Sequence, residues 1–133
     1  MNKILTIAVE AKPYATAGGT SDVVGSLTRV LQETGYDVRL VLPFYSAILR
    51  APRYPVEQLA DLDVHVGAES VRASVHRSNQ STYLVGRDPF GYFARVGRDD
   101  VPVYPALEDS SVDAGKLYAF FCRAALELVR RFR

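Results

Sequence analysis

The sequence predicts an α/β domain: a Rossmann-like, partly parallel sheet with flanking helices and a β-hairpin. Three observations predict it. Residues 3–9 (KILTIAV) form an almost unbroken apolar run, the pattern of a strand covered on both faces. A glycine-bearing loop, a helix-period segment and a second apolar run follow within about forty residues, which makes a βαβ unit. The middle of the chain then alternates apolar and polar residues around Gly67, as a hairpin does.

Each element has its own signal. After the first strand, residues 10–21 (EAKPYATAGGTS) carry Pro13 and Gly18-Gly19 as breakers. In residues 22–35, Val23, Leu27, Val30, Leu31 and Thr34 recur at helical spacing, which makes them the expected core face. Thr20 or Ser21 can cap the start, and Gly35 stands where a helix C-terminus wants glycine. Residues 36–42 read as a second strand stopped by Pro43. Residues 62–78 read as a hairpin turning at Gly67-Ala68-Glu69, and residues 81–87 (STYLVGR) as a further strand. Residues 86–111 are a long loop rich in Gly, Pro and Asp, of a length that is usually functional or an insertion that packs elsewhere. Its Asp99, Asp100, Glu108 and Asp109 read as a solvated face. The last segment, residues 112–132, predicts a helix with Leu117, Phe120, Phe121, Ala124 and Leu128 on its apolar face. Ser111 or Asp113 would cap it, and Glu127 and Arg131 would pair one turn apart. In a βα alternation a helix feeds another strand. Residues 1–133 are therefore expected to be a single, incomplete domain.

Composition excludes more than it assigns. A chain of 133 residues is long enough to bury a core. A net charge of +1, with no basic stripe interleaved with aromatics, argues against nucleic acid and anionic membranes. The opening apolar run is too short to span a bilayer, and Glu10 follows it directly. A single cysteine, Cys122, forms no internal disulfide and no zinc site by itself, and a cytoplasmic setting is expected. His65 and His76 sit in the hairpin without a ligand pattern around them, and Cys122 reads as a packed or half-exposed thiol. No metal or cofactor is expected, and no side chain is assigned a catalytic role.

The segment with chemistry in it is residues 13–25. It joins the end of the first strand to the start of the first helix, where open α/β sheets bind ligands. Unpaired amides at a helix start favour negative charge, and glycine lets a ligand approach the backbone. Two readings stand side by side: an anion site suited to a diphosphate, and a tight turn with packing glycines. The loop is neither a dinucleotide fingerprint nor a P-loop. Gly25, inside the helix, is expected to let that helix lie close on the sheet. Asp22 in the first helical turn suits the helix dipole whether or not it meets a ligand.

Glu10, Pro13-Tyr14-Ala15, Gly18-Gly19, Asp22-Val23-Val24-Gly25, Gly35, Asp37-Val38-Arg39 and Val41-Leu42-Pro43 follow one another in an ordered pattern. That pattern resembles the opening of bacterial glycogen synthases and plant starch synthases, glycosyltransferase family five. Residues 81–95 and 116–131 resemble later segments of the same family. The resemblance implies the first part of the N-terminal domain of a GT-B type glucosyltransferase. Such an enzyme moves glucose from ADP-glucose to an α-1,4-glucan with retention, across a cleft between two Rossmann-like domains. It implies that Glu10, Tyr14, Thr16, Gly18, Gly19 and Asp22 line the substrate side. The family carries lysine where this chain has Thr16, so a point charge for a diphosphate is missing there. The catalytic groups of the second domain lie outside residues 1–133, so this chain alone is expected to be inactive. The alternatives are a stand-alone module that binds glucan or a partner without transfer, and a half-domain completed by self-association or by another chain.

Overall fold

The computed structural model describes residues 2–16, 18–45, 48, 55–87 and 114–132. The long 86–111 loop beyond Arg87, its acidic residues and the expected cap of the last helix lie outside the described residues.

Strand β1 (Lys3–Ile7) leads through the glycine loop into helix α1 (Gly19–Glu33) and then strand β2 (Asp37–Pro43). Strands β3 (Glu57–Val66), β4 (Glu69–Asn79) and β5 (Thr82–Arg87) follow, and helix α2 (Ala114–Arg131) is the last element. The five strands form one sheet in the order β1-β2-β5-β4-β3. β1 and β5 both run parallel to β2, and β4 is antiparallel to both β5 and β3. The expected mixture of a βαβ unit and a hairpin is thus one continuous sheet.

The two helices cover opposite faces. Leu40 and Thr82 lie beneath α1, whereas Arg39 and Tyr83 lie beneath the end of α2. Adjacent residues of a strand point to opposite sides, so the two sets define two faces. α2 buries Leu117, Phe120, Phe121, Ala124 and Leu128, the predicted stripe. These close the main core with Val41, Val64, Val71, Val75 and Val85.

The turns follow the glycines. α1 ends at Thr34, and Gly35 has φ 93°, a left-handed conformation that suits glycine. The Gly35 amide donates to the Gln32 carbonyl at 3.0 Å and the Tyr36 amide to the Leu31 carbonyl at 3.0 Å. Gly67 at φ 60° turns the β3–β4 hairpin.

Several expectations are corrected. Among the described residues β1 is an edge strand paired with β2 alone, and it is not buried on both faces: Leu5 and Ile7 are exposed. α1 starts one turn earlier than the capping residues suggested. Its N-cap is Gly18, and Ser21 donates its hydroxyl back to the Gly18 carbonyl at 2.9 Å. The core face of α1 is also different. Ser21 and Thr28 are buried, with Val24, Gly25 and Leu31 half-buried, while Val23, Leu27 and Val30 are exposed. The helix rests on β2 by its small and polar face, and its apolar stripe points away from this chain's own core. In α2, Glu127 pairs with Arg130 at 2.7 Å rather than with Arg131. Cys122 is an exposed free thiol.

Candidate functional site

The loop between β1 and α1 is built as a tight turn locked to its neighbours. The Tyr14 and Ala15 amides both donate to the Ala11 carbonyl, at 2.9 and 3.0 Å. Ala11 and Ala15 are buried and anchor the turn in the core. The Lys12 amide donates to the Ser21 carbonyl at 3.1 Å, tying the loop to the first turn of α1. Tyr45 donates its hydroxyl to the Val9 carbonyl at 2.7 Å, fixing the exit of β1.

Gly25 belongs to this lock. A Cβ on Gly25 would stand 2.9 Å from the Lys12 carbonyl oxygen and 3.3 Å from the Lys12 nitrogen. The close approach predicted for Gly25 is therefore to the loop backbone rather than to the sheet. The diglycine pair differs. A Cβ on Gly19 would meet nothing within 4 Å, and one on Gly18 would make only an ordinary contact with Glu10. Gly18 has φ −157°, extended backbone open to any residue. Among the described residues, neither packing nor backbone conformation requires glycine at these two positions.

Glu10 is the centre of the bend. It is only 2% exposed, and its Oε2 accepts a hydrogen bond from the Gly18 amide at 3.2 Å. A helix start leaves four amides without an intrahelical partner. Here Gly18 is met by Glu10, and the Ser21 amide is met by the Gly18 carbonyl at 3.3 Å. Those of Gly19 and Thr20 have no such partner among the described residues. The mouth of α1 thus holds a buried carboxylate of its own beside two free amides. A sugar hydroxyl can donate to such a carboxylate and accept from an amide.

The six predicted residues fall into two groups. Glu10, Gly18 and Gly19 meet at the bend, and Thr16 is exposed two residues before Gly18. Tyr14 and Asp22 instead line a cavity of about 410 Å³ beside α1. Asp22 forms an ion pair with Lys12. Both partners are more than half exposed, so the pair contributes little stability. The Tyr14 hydroxyl accepts from Asn79 Nδ2 at 2.9 Å, which joins the loop to the β4–β5 turn. Thr28, Gln32 and Ser81 complete the wall. Sequence reading missed these, although Thr28 and Gln32 stand four apart on one helical face. Among the described residues no group of three or more His, Cys, Asp and Glu is placed to hold a metal ion. Among them, too, no helix is long and apolar enough to cross a membrane.

With this geometry in view, similarity to known proteins can be stated. Residues 3–133 match the family described as the starch synthase catalytic domain. Glycogen synthase of Geotalea daltonii is 33% identical over 132 residues, which cover 97% of this chain and 26% of that protein. Glycogen synthase 2 of Geobacter metallireducens is 34% identical over 134 residues, with the same coverage. The chain therefore spans about a quarter of the length of these relatives. Among solved structures, the catalytic domain of Starch Synthase IV from Arabidopsis thaliana, bound to ADP and acarbose, superimposes with a TM-score of 0.76. It is 22% identical and covers 98% of this chain and 25% of that one, a likeness of fold.

Proposed function

The chain belongs to the starch synthase catalytic domain family, and from that premise we propose that it forms the first part of the N-terminal domain of a GT-B glucosyltransferase. The whole protein would transfer glucose from ADP-glucose to the end of an α-1,4-glucan, with retention and in the cytoplasm. One observation carries the site: buried Glu10 accepting from Gly18 at a diglycine bend, beside the Gly19 and Thr20 amides, which have no partner among the described residues. In this reading Glu10 accepts a hydroxyl of the transferred sugar, and the Gly19 and Thr20 amides bind its oxygen atoms. The glycines leave space for that approach. The charge on the diphosphate is met by groups of the second domain, since Thr16 offers none. Electrostatic stabilisation of the departing diphosphate also resides there.

Unsatisfied apolar surface supports the incomplete domain. Among the described residues the outer edge of β1 has no partner strand, and exposed Val23, Leu27 and Val30 stand along α1. A groove of about 400 Å³ is lined by Leu5, Tyr83, Leu128, Val129 and Phe132. Edges and patches of this kind are normally covered, and in this reading the following strand and helices of the domain cover them.

The test is a chimera that joins residues 1–133 to the remaining sequence of the Geotalea daltonii glycogen synthase. Incorporation of glucose from ADP-glucose into glycogen is expected for the chimera and not for the 133-residue chain. A folded chimera without transfer overturns the reading. Thr16 in place of the family's lysine favours a second reading, a glucan-binding module without transferase activity. Calorimetric binding of maltoheptaose but not ADP-glucose, together with an inactive chimera, selects it.

A further inference from the structure

The exit of β1 is held by a side chain from beyond the next strand. β1 ends at Ile7, and the Ala8 amide still donates to the Val41 carbonyl of β2 at 3.1 Å. One residue further on, the Val9 carbonyl accepts from the Tyr45 hydroxyl at 2.7 Å. The bond spans 36 residues of sequence and lies immediately before Glu10.

Tyr45 is itself firmly placed. Its amide donates to the Pro43 carbonyl at 3.0 Å, closing a three-residue turn directly after β2. Its carbonyl accepts from the Ile48 amide at 3.0 Å. The side chain is fully buried and belongs to the same core cluster as Ala11 and Ala15, the two anchors of the glycine loop. A phenylalanine ring would fill nearly the same volume. What the hydroxyl adds is a hydrogen bond, and a buried tyrosine hydroxyl usually finds one.

That bond bears on Glu10 through the peptide unit. The Val9 carbonyl and the Glu10 Cα belong to one planar group, so fixing the carbonyl oxygen fixes where the Glu10 side chain departs. On the other side, the Ala11 carbonyl accepts from both the Tyr14 and the Ala15 amides. Glu10 is thus clamped between two pinned carbonyls, and its buried carboxylate reaches the Gly18 amide at 3.2 Å. A tilt of the Val9 peptide would be magnified along the glutamate side chain and would carry the carboxylate away from the bend.

We propose that Tyr45 is a positioning residue for the sugar site: its hydroxyl fixes the peptide that carries Glu10, and with it the carboxylate that receives the sugar hydroxyl. The inference rests on the role given to Glu10 in the reading above. Tyr45 touches no substrate; it acts through Glu10.

The test has two arms. In the 133-residue chain, the NMR signal of the Gly18 amide proton reports the bond to Glu10, and Glu10→Ala sets its position without that bond. Tyr45→Phe keeps the ring in the core. It is expected to move the Gly18 signal toward the Glu10→Ala position, while the Ala8 amide, bonded within the sheet, stays in place. In the Glu10→Ala background the same substitution should leave Gly18 where it is, because the two residues act as one unit. In the chimera, Tyr45→Phe should lower kcat/KM for ADP-glucose about ten- to a hundredfold, the scale of a small misplacement. Once Glu10 is alanine it should add no further loss. A hydroxyl that merely supports the fold would move Ala8 and Gly18 together and cost the same in both backgrounds. An unmoved Gly18 signal, a shift shared with Ala8, equal losses in both Glu10 backgrounds, or a Tyr45→Phe chimera as active as the parent would each overturn the positioning role. An inactive parent chimera with the Gly18 response intact strikes the transfer reading and leaves Tyr45 as the residue that sets Glu10.

Discussion

The Glu10 carboxylate lies 3.2 Å from the Gly18 amide nitrogen, so the start of α1 is capped by a side chain eight residues earlier in the sequence. This contact serves as a helix cap and also places a negative group at the bend. Removing it separates the two roles. Glu10→Ala removes the acceptor of the Gly18 amide, which is exposed and can turn to water, and should destabilise the chain by about 1 kcal/mol. Glu10→Gln retains an acceptor and should cost less. Urea unfolding of the two variants checks the order; equal losses would mean that the Gly18 bond contributes nothing.

Gly25 and Gly19 give a paired test of close approach. Both substitutions to alanine improve intrinsic helix propensity, by up to about 1 kcal/mol. At Gly25 the new Cβ would stand 2.9 Å from the Lys12 carbonyl, and overpacking of this kind costs about 1–3 kcal/mol. Gly25→Ala should therefore be destabilising overall and should shift the Lys12 and Tyr14 amides. Gly19→Ala meets open space and should stay within about 0.5 kcal/mol of wild type. A stabilised Gly25→Ala variant would show that the loop yields.

The elements were legible in the sequence where the chain reports on itself. Apolar runs, the 3.6-residue period and glycines at turns located the helices Gly19–Glu33 and Ala114–Arg131 and the five strands among the described residues. The core face of α1 was not legible. An apolar stripe records which face is to be covered, not whether residues of the same chain cover it. Val23, Leu27 and Val30 are exposed here, while polar Ser21 and Thr28 are buried against the loop and the sheet. The bend was legible in part. Its glycines and Glu10 could be singled out, but the return of Glu10 onto Gly18 is a tertiary contact. The cavity was hidden altogether, since it joins Gln32 to Ser81 across 49 residues of sequence.

The exposed stripe leads to a contrast in α1 and α2. Leu27 is 52% exposed and Leu117 is fully buried. Leu117→Ala should cost about 2–5 kcal/mol through lost burial and the cavity left behind. Leu27→Ala should change stability by no more than about 0.5 kcal/mol in the 133-residue chain. In the chimera, where the proposed remainder of the domain covers α1, Leu27→Ala should become clearly destabilising. Thermal unfolding of both proteins reads the difference; equal small effects in both would mean that the stripe stays uncovered.

His76 supplies a pH dependence. It is half-buried against Phe44, with ring centroids 4.7 Å apart, and its Nδ1 has no hydrogen-bond partner. Burial holds its pKa below the ordinary histidine value, and Asp61 opposes the shift without reversing it. Between the lowered folded value and the unfolded value near ~6.5, the unfolded chain binds more protons. Stability from this group is therefore complete above about pH 6.5 and is lost as pH falls toward the folded value. His76→Gln should flatten the decline in urea midpoint between pH 7.5 and 5.5. An unchanged decline would assign it to other groups.

Thr16 provides the sharpest chemical test of the bend. It is exposed, two residues before Gly18, at the place where the resemblance puts lysine. Threonine can hydrogen-bond a diphosphate but does nothing to offset its charge. An ammonium at position 16 would offset it as a point charge and would form a charge-assisted hydrogen bond, worth about 1.5–3 kcal/mol. In the chimera, Thr16→Lys should tighten ADP-glucose binding by about tenfold or more at low salt. Because the position is exposed, the gain should shrink as salt screens it. Calorimetry at two salt concentrations reads both outcomes. Unchanged ADP-glucose affinity would mean that the diphosphate does not approach this bend, and the glycines would then serve a sugar alone.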